Sequence, residues 1–455
     1  MATRAELSAG HAIDLDETVQ RVLLDSRHVR AGDLFVAVRG ERLDGHSFIP
    51  AAVQAGARAV LLSELPDAPP PYGVTYAQVP DTVQALGELG AYWRAQMSAR
   101  VVGITGSVGK TSTKEVLASV LSSRYRTLRS EKSLNNELGL PLTLLSLRPE
   151  TEVAVLEMGG AYAMGEIAHL CSLARPQTGV VTNVGYAHIG RMGTIERIAE
   201  TKSELVRCLP ADGLAVLNRD DEFVRQMATV TPARVLWYGL TEEEDVQADQ
   251  IQSNGLKGIQ FRLRIRDKVF PNVKAPLLGR HSVHTVLAAA AVAHSEGMDG
   301  EEIIAAVRRL ESGVRLIVNR GVNGSTVIDD TYNANPTSVM AALNLLADLE
   351  GRRVAVLGDM AELGDYTVEG HRRVGARAAE ACDALYTVGP LSRETAAEAL
   401  RAGMLPTSVE QFDSVDAAAQ LLRERLREGD VVLLKGSRSM GLDRLAAELT
   451  VSGGQ

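Results

Sequence analysis

The feature that most constrains the fold is the stretch at residues 101–121, which reads VVGITGSVGKTSTKEVLASVL. A β-branched apolar segment leads into a glycine-rich turn, and a segment with helical periodicity follows. Glycines let backbone N–H groups converge on an anion, and the N-terminus of a helix adds partial positive charge. The pattern therefore predicts a strand, a phosphate-binding loop and a helix, in that order.

The loop is a variant of the G-x-x-x-x-G-K-[ST] phosphate-binding pattern. Its first glycine would fall at position 104, which is Ile104. We still predict an ATP site, because Lys110 is placed to neutralise the β- and γ-phosphates and the Thr111 hydroxyl is placed to hold Mg²⁺. The loop residues predicted to contact ATP are Gly106, Ser107, Val108, Gly109, Lys110, Thr111 and Ser112.

Composition narrows the classes of function. The formal net charge of −9 argues against nucleic-acid binding, which relies on broad basic surfaces. Cys171, Cys208 and Cys382 are scattered, which indicates neither a disulfide framework nor a zinc site and fits a reducing cytosol. The N-terminus lacks the apolar core of a secretory signal, and the longest apolar run, 286–293, is too short to span a bilayer. We expect a cytoplasmic protein without a membrane span and, by default, a monomer.

Polar side chains recur where predicted strands end. The apolar strand at 153–156 is followed by Glu157, and the strand at 179–182 is followed by Asn183 and soon by His188. In open parallel sheets, ligands bind outside the carboxyl ends of the strands. We therefore expect Thr111, Glu157 and His188 to share one rim of a sheet, where they are candidates for a metal site.

Strands and helices alternate along the chain, which predicts the α/β class with three domains. We predict a small α/β N-terminal domain at 1–98, a central P-loop-type domain with a mostly parallel sheet at 99–312, and a C-terminal Rossmann-like domain at 313–455. Four short strands within 234–276 are expected to form an antiparallel appendage. The strands predicted in the C-terminal domain are 325–329, 353–358, 384–388, 408–412 and 430–435.

Several motifs, taken together, resemble those of the Mur ligases of peptidoglycan synthesis. They are DSR-x-x-x-AGDLFVAV-x-G and DGH-x-F in the first domain, TGSVGKTSTKE, NNELGLPLTLL, EMGG-x-x-x-GEIAHL and TNVG-x-AH in the second, and IDDTYNANP, LGDMAELG and KGSRSM in the third. The resemblance covers essentially the whole chain. It implies the three-domain α/β fold and an ATP-dependent, Mg²⁺-dependent ligase of cell-wall synthesis.

Within the family, the motifs resemble those of the member that joins D-alanyl-D-alanine to UDP-N-acetylmuramoyl-tripeptide. This resemblance implies those two substrates, an acyl phosphate intermediate, and Mg²⁺ ligands at Thr111, Glu157 and His188. Lys202 matches a lysine that is carbamylated in sister ligases, where it helps to hold a second Mg²⁺; whether it is modified here stays open. The expected catalytic residues are Lys110, His188 and Lys202.

The resemblance also implies binding residues outside the loop. For ATP these are His281, Arg315 and Asp330; for the substrates they are Ser26 and Arg27 at the UDP end, Asn135 and Asn136 at the muramoyl-peptide, and Tyr332, Asn333 and Asn335 beside the ATP contacts. The chain departs from the family pattern G-x-H-N-x-x-N, since Ser282 and Thr285 replace both asparagines. The family's contacts to adenine are therefore open at these two positions.

Other functions fit parts of the sequence. A sister ligase, either the one that adds the third peptide residue or a folylpolyglutamate synthase, would share the fold, although the motif at 332–336 favours the dipeptide-adding member. A nucleotide-dependent regulatory scaffold would need the phosphate loop but not the metal-binding set. Whether the third residue of the tripeptide is lysine or diaminopimelate, and which residues hold D-alanyl-D-alanine, are not fixed by the sequence.

Overall fold

The structure is a computed structural model and describes residues 5–9, 18–40, 43–241, 244–310 and 316–451. By compactness the chain forms two units. Unit 1 comprises 1–102, 125–158 and 168–176, and unit 2 comprises 103–124, 159–167 and 177–455. Among the described residues, no helix combines the length and the apolar character needed to cross a lipid bilayer.

The described strands are numbered in chain order. They are β1 Glu6–Ala9, β2 Val22–Leu23, β3 Leu34–Val36, β4 Ala59–Leu62, β5 Thr75–Gln78, β6 Arg100–Thr105, β7 Thr127–Arg129, β8 Val153–Glu157, β9 Thr178–Val181, β10 Leu214–Asn218, β11 Arg234–Gly239, β12 Val246–Ser253, β13 Ile259–Ile265, β14 Lys268–Ala275, β15 Ile317–Arg320, β16 Thr326–Asp329, β17 Arg353–Gly358, β18 Ala384–Val388, β19 Val409–Phe412 and β20 Val431–Lys435.

The α-helices are numbered in the same way. They are α1 Ile49–Gln54, α2 Thr82–Ala95, α3 Lys110–Ser122, α4 Gly139–Leu145, α5 Glu166–Ala174, α6 Ile189–Met192, α7 Ile195–Arg207, α8 Glu222–Gln226, α9 Ser282–Ser295, α10 Gly300–Arg308, α11 Pro336–Ala347, α12 Thr367–Ala381, α13 Arg393–Arg401, α14 Val415–Arg425 and α15 Leu442–Leu449.

Unit 1 contains a five-stranded sheet in the order β1-β5-β4-β3-β2. Only β1 runs antiparallel to its neighbour, and the other pairs are parallel. One face buries Phe35, Val60 and Leu62, and the other buries Val36 and Leu61 against α2 residues such as Leu86. Because successive side chains of a strand point to opposite faces, this alternation shows that both faces of the sheet are covered. Unit 1 also contains the parallel pair β7–β8.

In unit 2, the strands of the middle region follow the order β14-β13-β12-β11-β10-β9. The expectation of an antiparallel appendage formed by four strands is wrong for β11, which pairs in parallel with both β10 and β12. Only β12, β13 and β14 form an antiparallel meander. Leu236 and Tyr238 of β11 are buried, as expected for a strand in the interior of a sheet and not for one in an exposed appendage.

The C-terminal region of unit 2 is a six-stranded sheet in the order β15-β16-β20-β17-β18-β19. The pairs from β16 to β19 are parallel, and the additional edge strand β15 is antiparallel to β16. Along β17, Val354 and Val356 pack with α14 and α15, whereas Ala355 and Leu357 pack with α11 and α12. The sheet is therefore covered by helices on both faces, and the predicted α/β class with mostly parallel sheets is confirmed. The domain boundaries at 98 and 312 stay predictions.

Candidate active site

The phosphate-type loop between β6 and α3 depends on two glycines with positive φ. Gly106 has φ +143°, and a Cβ there would lie 2.0 Å from Oγ1 of Thr182. Gly109 has φ +85° and directly precedes α3. Only glycine adopts such backbone angles without strain, so these two positions set the path of the loop.

The segment after β9 holds this loop in place. The Ser107 amide donates to the Asn183 carbonyl (2.9 Å), the Val108 amide donates to Asn183 Oδ1 (2.9 Å), and Asn183 Nδ2 donates to the Val108 carbonyl (2.9 Å). Ser107 Oγ accepts from the Gly185 amide at 2.9 Å. Sequence reasoning noted Asn183 as a strand-end residue but did not assign it this supporting role.

Lys110, Thr111 and Ser112 form the first turn of α3. The Lys110 ammonium donates to the Gly106 carbonyl at 2.6 Å, so the side chain reaches back across the loop. N–H groups in the first turn of a helix have no acceptor within the helix, and the helix dipole makes this end positive. The first turn of α3 therefore offers backbone N–H groups and one ammonium in the same short segment, which are the donors that an anion-binding site uses.

Glu157 ends β8 in unit 1, as the strand-end argument predicted. The residue is buried, and its Oε1 accepts a hydrogen bond from Asn135 Nδ2 at 2.8 Å. Its other oxygen, Oε2, is buried without a hydrogen-bond partner among the described residues. A buried carboxylate oxygen of this kind is costly unless something pairs with it, so the residue fits a cation ligand.

Lys202 lies on α7 with its Nζ 2.6 Å from the carbonyl oxygen of Gly160. Burial lowers the pKa of the ammonium to about 7, and the charge of Lys110 acts in the same direction. The carboxylates of Glu166 and Glu204 oppose this shift. A substantial share of the Lys202 amine is therefore uncharged at neutral pH, which is the form that can act as a nucleophile.

His188 follows the loop-supporting segment and has φ +62°, an uncommon backbone angle for a residue with a side chain. Its Nδ1 lies 2.5 Å from Oε2 of Glu362, and Nη2 of Arg191 lies 2.6 Å from Oε1 of the same carboxylate. Burial lowers the pKa of His188, the Lys110 charge lowers it further, and Glu362 opposes both. The Lys110 charge thus acts on both His188 and Lys202, so unit 2 brings these three residues into one electrostatic environment.

The predicted metal set is divided between the units: Glu157 belongs to unit 1, and Thr111, His188 and Lys202 belong to unit 2. Their common rim stays a prediction. Among the described residues, no group of three or more His, Cys, Asp or Glu side chains is placed to hold a metal ion. Mg²⁺ typically keeps water ligands and binds through one or two carboxylates plus substrate phosphates, so a single carboxylate such as Glu157 suits it.

Several predicted residues follow β16 in the C-terminal region. Asp330 accepts from the buried Lys435 Nζ at 2.6 Å, and the Asn333 carbonyl accepts from the same ammonium at 2.9 Å. The ring of Tyr332 is 42% exposed and lies 5.7 Å from the guanidinium carbon of Arg438. Lys435 belongs to the KGSRSM motif at the end of a predicted strand, but the sequence assigned it no role in the site.

Two of the predicted asparagines make local hydrogen bonds at the starts of helices. Asn335 Oδ1 accepts from the Ser338 amide in a capping box at the start of α11. Asn136 Oδ1 accepts from the Gly139 amide at the start of α4 (2.9 Å). Asparagine favours both cap and ligand positions, so sequence alone does not separate these roles. Their substrate contacts stay predictions.

Ser26 and Arg27 lie in a short 3₁₀ turn at the edge of the N-terminal sheet. Asp25 caps this turn by accepting from the Arg27 amide at 3.0 Å, and it pairs with the Arg27 guanidinium at 2.6 Å. The guanidinium holds the pKa of Asp25 at about 2. The Arg27 side chain is 83% exposed, so an anionic ligand can reach it, although its guanidinium already pairs with Asp25.

His281 borders a pocket of about 490 Å³ between the start of α9 and helices α11 and α12. The pocket lining is Arg280, His281, Thr337, Met340, Ala341, Asn344, Asp348 and Arg377. Ser282, at the first departure from the family pattern, donates to the Leu278 carbonyl at 2.6 Å and so serves the helix start. The last predicted ATP residue, Arg315, lies outside the described residues.

Comparison with known proteins matches most of the chain to one protein family. Residues 18–94 match the Mur ligase family catalytic domain, residues 104–293 match the Mur ligase middle domain, and residues 308–438 match the Mur ligase glutamate ligase domain. The chain belongs to the Mur ligase family. Eight curated relatives, each named UDP-N-acetylmuramoyl-tripeptide–D-alanyl-D-alanine ligase, are 35–37% identical to it.

Individual Mur ligases match along nearly their full length. The relative from Synechocystis is 36% identical, over 95% of this chain and 92% of its own. The crystal structure of MurF from Acinetobacter baumannii is 33% identical with a TM-score of 0.84, covering 95% of this chain and 93% of that one. The structure of the Thermotoga maritima MurF ligase in complex with ADP is 31% identical with a TM-score of 0.81, covering 96% and 98%.

Other ligases share only the fold. A UDP-N-acetylmuramoyl-L-alanyl-D-glutamate–2,6-diaminopimelate ligase is 21% identical with a TM-score of 0.53. The folylpolyglutamate synthase of Mycobacterium tuberculosis is 18% identical and covers 80% of this chain with a TM-score of 0.63. At these identities the two comparisons carry no argument about substrate.

Proposed function

We infer that this chain is an ATP-dependent amide ligase that adds D-alanyl-D-alanine to UDP-N-acetylmuramoyl-tripeptide, producing the pentapeptide precursor of peptidoglycan. The observation that carries this conclusion is the agreement of eight curated relatives, each matching 93–100% of the chain and all bearing this one activity. The alternative of a third-residue ligase or a folylpolyglutamate synthase rests on fold alone. A regulatory scaffold has no support among the relatives.

ATP is the proposed nucleotide, with its phosphates at the loop 106–112. The positive-φ glycines, the first-turn N–H groups of α3 and the Lys110 ammonium support this placement. The Thermotoga maritima relative is described in complex with ADP, which supports the same nucleotide class. We propose that His281, Asp330 and Arg315 line the remainder of the nucleotide site.

The chemistry follows from charge. The terminal carboxylate of the tripeptide attacks the γ-phosphorus of ATP, forming a C–O–P acyl phosphate and releasing ADP. The amine of D-alanyl-D-alanine then attacks the acyl carbon, the C–O bond to phosphate breaks, and the amine loses a proton as inorganic phosphate leaves. A carboxylate and a triphosphate repel each other, so Lys110 must neutralise negative charge as they approach.

Mg²⁺ is the proposed metal, held by Glu157 together with Thr111 and His188. The support is the buried Oε2 of Glu157, which has no hydrogen-bond partner among the described residues, and the hard oxygen donors of Glu157 and Thr111. When bound, Mg²⁺ supplies charge neutralisation of the phosphate oxygens. We further propose that Lys202 is carbamylated, because its burial favours the uncharged amine, which is the form that reacts with CO₂.

Other residues are assigned to the amide-forming substrates. We propose that Ser26 and Arg27 recognise the UDP end, that Asn135 and Asn136 lie near the muramoyl-peptide, and that Tyr332, Asn333 and Asn335 form part of the C-terminal substrate site. The exposed Arg27 guanidinium supports the first of these assignments. The domain division at 98 and 312, a monomeric state and a cytoplasmic location remain proposals, the last supported by the scattered cysteines.

The test is a product analysis. The enzyme is supplied with ATP, Mg²⁺, D-alanyl-D-alanine and UDP-muramoyl-tripeptides that carry either lysine or diaminopimelate as the third residue, and the product is identified by mass. We expect a pentapeptide product and phosphate release that requires both substrates. Phosphate release that ignores the UDP-muramoyl-tripeptide would point to the regulatory scaffold, and addition of a single amino acid to a dipeptide would point to the sister ligase.

A further inference from the structure

We propose that Glu362, in the LGDMAELG motif, is a positioning residue that fixes the imidazole ring of His188 in its working orientation. Glu362 belongs to the C-terminal region, whereas His188 belongs to the middle region of unit 2. The proposal rests on the proposed function, because it concerns a residue assigned there to the nucleotide and metal site.

Glu362 contacts the His188 segment at three points. Its Oε2 accepts from His188 Nδ1 at 2.5 Å, its Oε1 accepts from Arg191 Nη2 at 2.6 Å, and its backbone carbonyl accepts from the Gly190 amide at 2.8 Å. Both carboxylate oxygens and the main chain are therefore engaged by one short segment.

The loop that carries Glu362 is itself held firmly. The Met360 amide donates to Nε2 of the buried His371 (3.1 Å), and the Ala361 amide donates to Ser437 Oγ (2.8 Å). Glu362 has φ +63°, a left-handed backbone angle that costs energy for a residue with a side chain. These hydrogen bonds hold the loop in a backbone conformation that is unfavourable for glutamate by itself. The carboxylate is therefore preorganised to contact His188.

The two segments also approach each other closely around this contact. A Cβ on Gly364 would lie 2.7 Å from the Cα of Gly190. The rings of Tyr186 and Tyr366 stack with their centroids 4.1 Å apart and an angle of 13° between planes. Glu362 and His188 therefore meet beside a closely packed junction, with their side chains 29% (His188) and 33% (Glu362) exposed.

The chemical consequence concerns the ring of His188. A carboxylate can only accept, so the contact places the proton on Nδ1, and the neutral imidazole keeps its lone pair on Nε2. A histidine that binds a metal commonly donates its other N–H to a carboxylate in this way, which fixes both tautomer and orientation. Because the carboxylate comes from the C-terminal region, the ring is oriented only when the two regions are together.

The first experiment reads the tautomer of His188 directly. The full-length protein is labelled with ¹⁵N-histidine, its imidazole resonances are recorded at pH 8, and the His188→Gln variant identifies the signal of His188. We expect the Nδ1–H tautomer in the wild type, a mixture dominated by Nε2–H in Glu362→Ala, and partial recovery in Glu362→Gln, whose amide oxygen can still accept. Glu394→Ala, which removes an exposed carboxylate paired with Arg372, is the matched control and should leave the signal unchanged.

The second experiment uses Mn²⁺ as the metal probe, with its binding followed by electron paramagnetic resonance in the presence of ADP. We expect Glu362→Ala to weaken Mn²⁺ binding about tenfold to a hundredfold. In the His188→Gln background, Glu362→Ala should weaken Mn²⁺ binding no further. An unchanged tautomer in Glu362→Ala, or an unchanged Mn²⁺ affinity, overturns the positioning role while leaving the proposed reaction intact. If the wild type binds no Mn²⁺ with ADP, the metal assignment of the proposed function fails, and so does this role.

Discussion

The Nζ of Lys202 donates a hydrogen bond to the carbonyl oxygen of Gly160 at 2.6 Å, inside a region where the lysine is only 3% exposed. Burial favours the uncharged amine, and the pKa falls from its ordinary value to about 7. The uncharged amine can attack CO₂, forming an N–C bond and releasing one proton. The buried lysine is therefore suited to become a carbamate, which would turn an uncharged amine into an anionic ligand.

We predict that the wild-type protein, equilibrated with ¹³C-bicarbonate at pH 8, shows a ¹³C carbamate resonance. The resonance should disappear in Lys202→Arg, which keeps a cation but cannot form this carbamate. It should also fade as the pH falls below about 7, because the amine then becomes protonated. Lys435→Arg, which changes another buried lysine, is the control and should keep the resonance. A carbamate resonance that persists in Lys202→Arg would contradict the assignment to Lys202.

Lys110→Ala should reduce phosphate release by at least about a hundredfold, because one charge-stabilising group of the transition state is lost. The measurement is phosphate release that depends on both the tripeptide substrate and D-alanyl-D-alanine. Lys257→Ala, a change outside the proposed site, serves as the control for handling and folding. Near-normal turnover in Lys110→Ala would rule out the phosphate role of this lysine.

Asn135 and Asn136 provide a matched pair with different expected effects. Asn135→Ala removes the hydrogen bond to Oε1 of Glu157, so the Mg²⁺ concentration needed for half-maximal activity should rise about tenfold. Asn136→Ala removes the bond to the Gly139 amide at the start of α4, so it should cost about 1 kcal/mol of stability. Mg²⁺ titrations and thermal unfolding separate the two; identical behaviour of the variants would refute this division of roles.

Gly106→Ala should abolish nucleotide binding, because the added methyl group would lie 2.0 Å from Thr182 Oγ1 and force the loop to move. Gly403→Ala is the matched control: its φ is +102°, but its Cβ would meet nothing within 4 Å. The control should lose about 1 kcal/mol of stability through backbone strain alone and retain binding. Calorimetric titration with ADP distinguishes them, and ADP binding of wild-type strength by Gly106→Ala would contradict the proposed site.

His371 should make stability depend on pH. It is buried, its Nδ1 lies 2.7 Å from the Thr367 carbonyl oxygen, and its Nε2 accepts from the Met360 amide. Burial lowers its pKa in the folded protein, so the unfolded chain takes up a proton first as the pH falls below about 6.5. Stability is therefore lost on acidification from that pH downwards.

The measurement for His371 is the thermal midpoint at pH 7.5 and at pH 5.5. The decrease between these pH values should be smaller in His371→Gln than in the wild type by about 1 °C, the shift that about 1 kcal/mol causes in a chain of this size. The exposed His169→Gln change is the control and should follow the wild type. Equal decreases in His371→Gln and the wild type would show that this histidine does not contribute.

The sequence predicted the elements whose signals are local. The strand, loop and helix around Lys110 follow from one continuous pattern, and β8 ends at Glu157 as its run of apolar residues indicated. The C-terminal strands were placed within a residue or two. The edge strand β15 was missed because it is only four residues long and does not show the alternation of buried and exposed residues of a half-buried strand; only Asn319 is even partly buried.

Contacts between distant segments could not be predicted in the same way. Glu362 and His188 are 174 residues apart, and nothing in either local pattern indicates the other. The same holds for Asn183, whose side chain supports a loop 75 residues earlier. Turn-forming residues add a second difficulty, since an asparagine such as Asn335 can cap a helix or contact a ligand. Separating these roles requires the three-dimensional arrangement.

The close approach of Gly190 and Gly364 has a consequence for how this enzyme can evolve. A side chain at either position would have to occupy space already filled by the backbone of the other segment. Neither site can accept a substitution unless the opposite segment withdraws, and withdrawal would separate Glu362 from His188. Replacement of either glycine therefore requires the junction to be rebuilt, and descendants of this chain that keep the contact between Glu362 and His188 should keep both glycines.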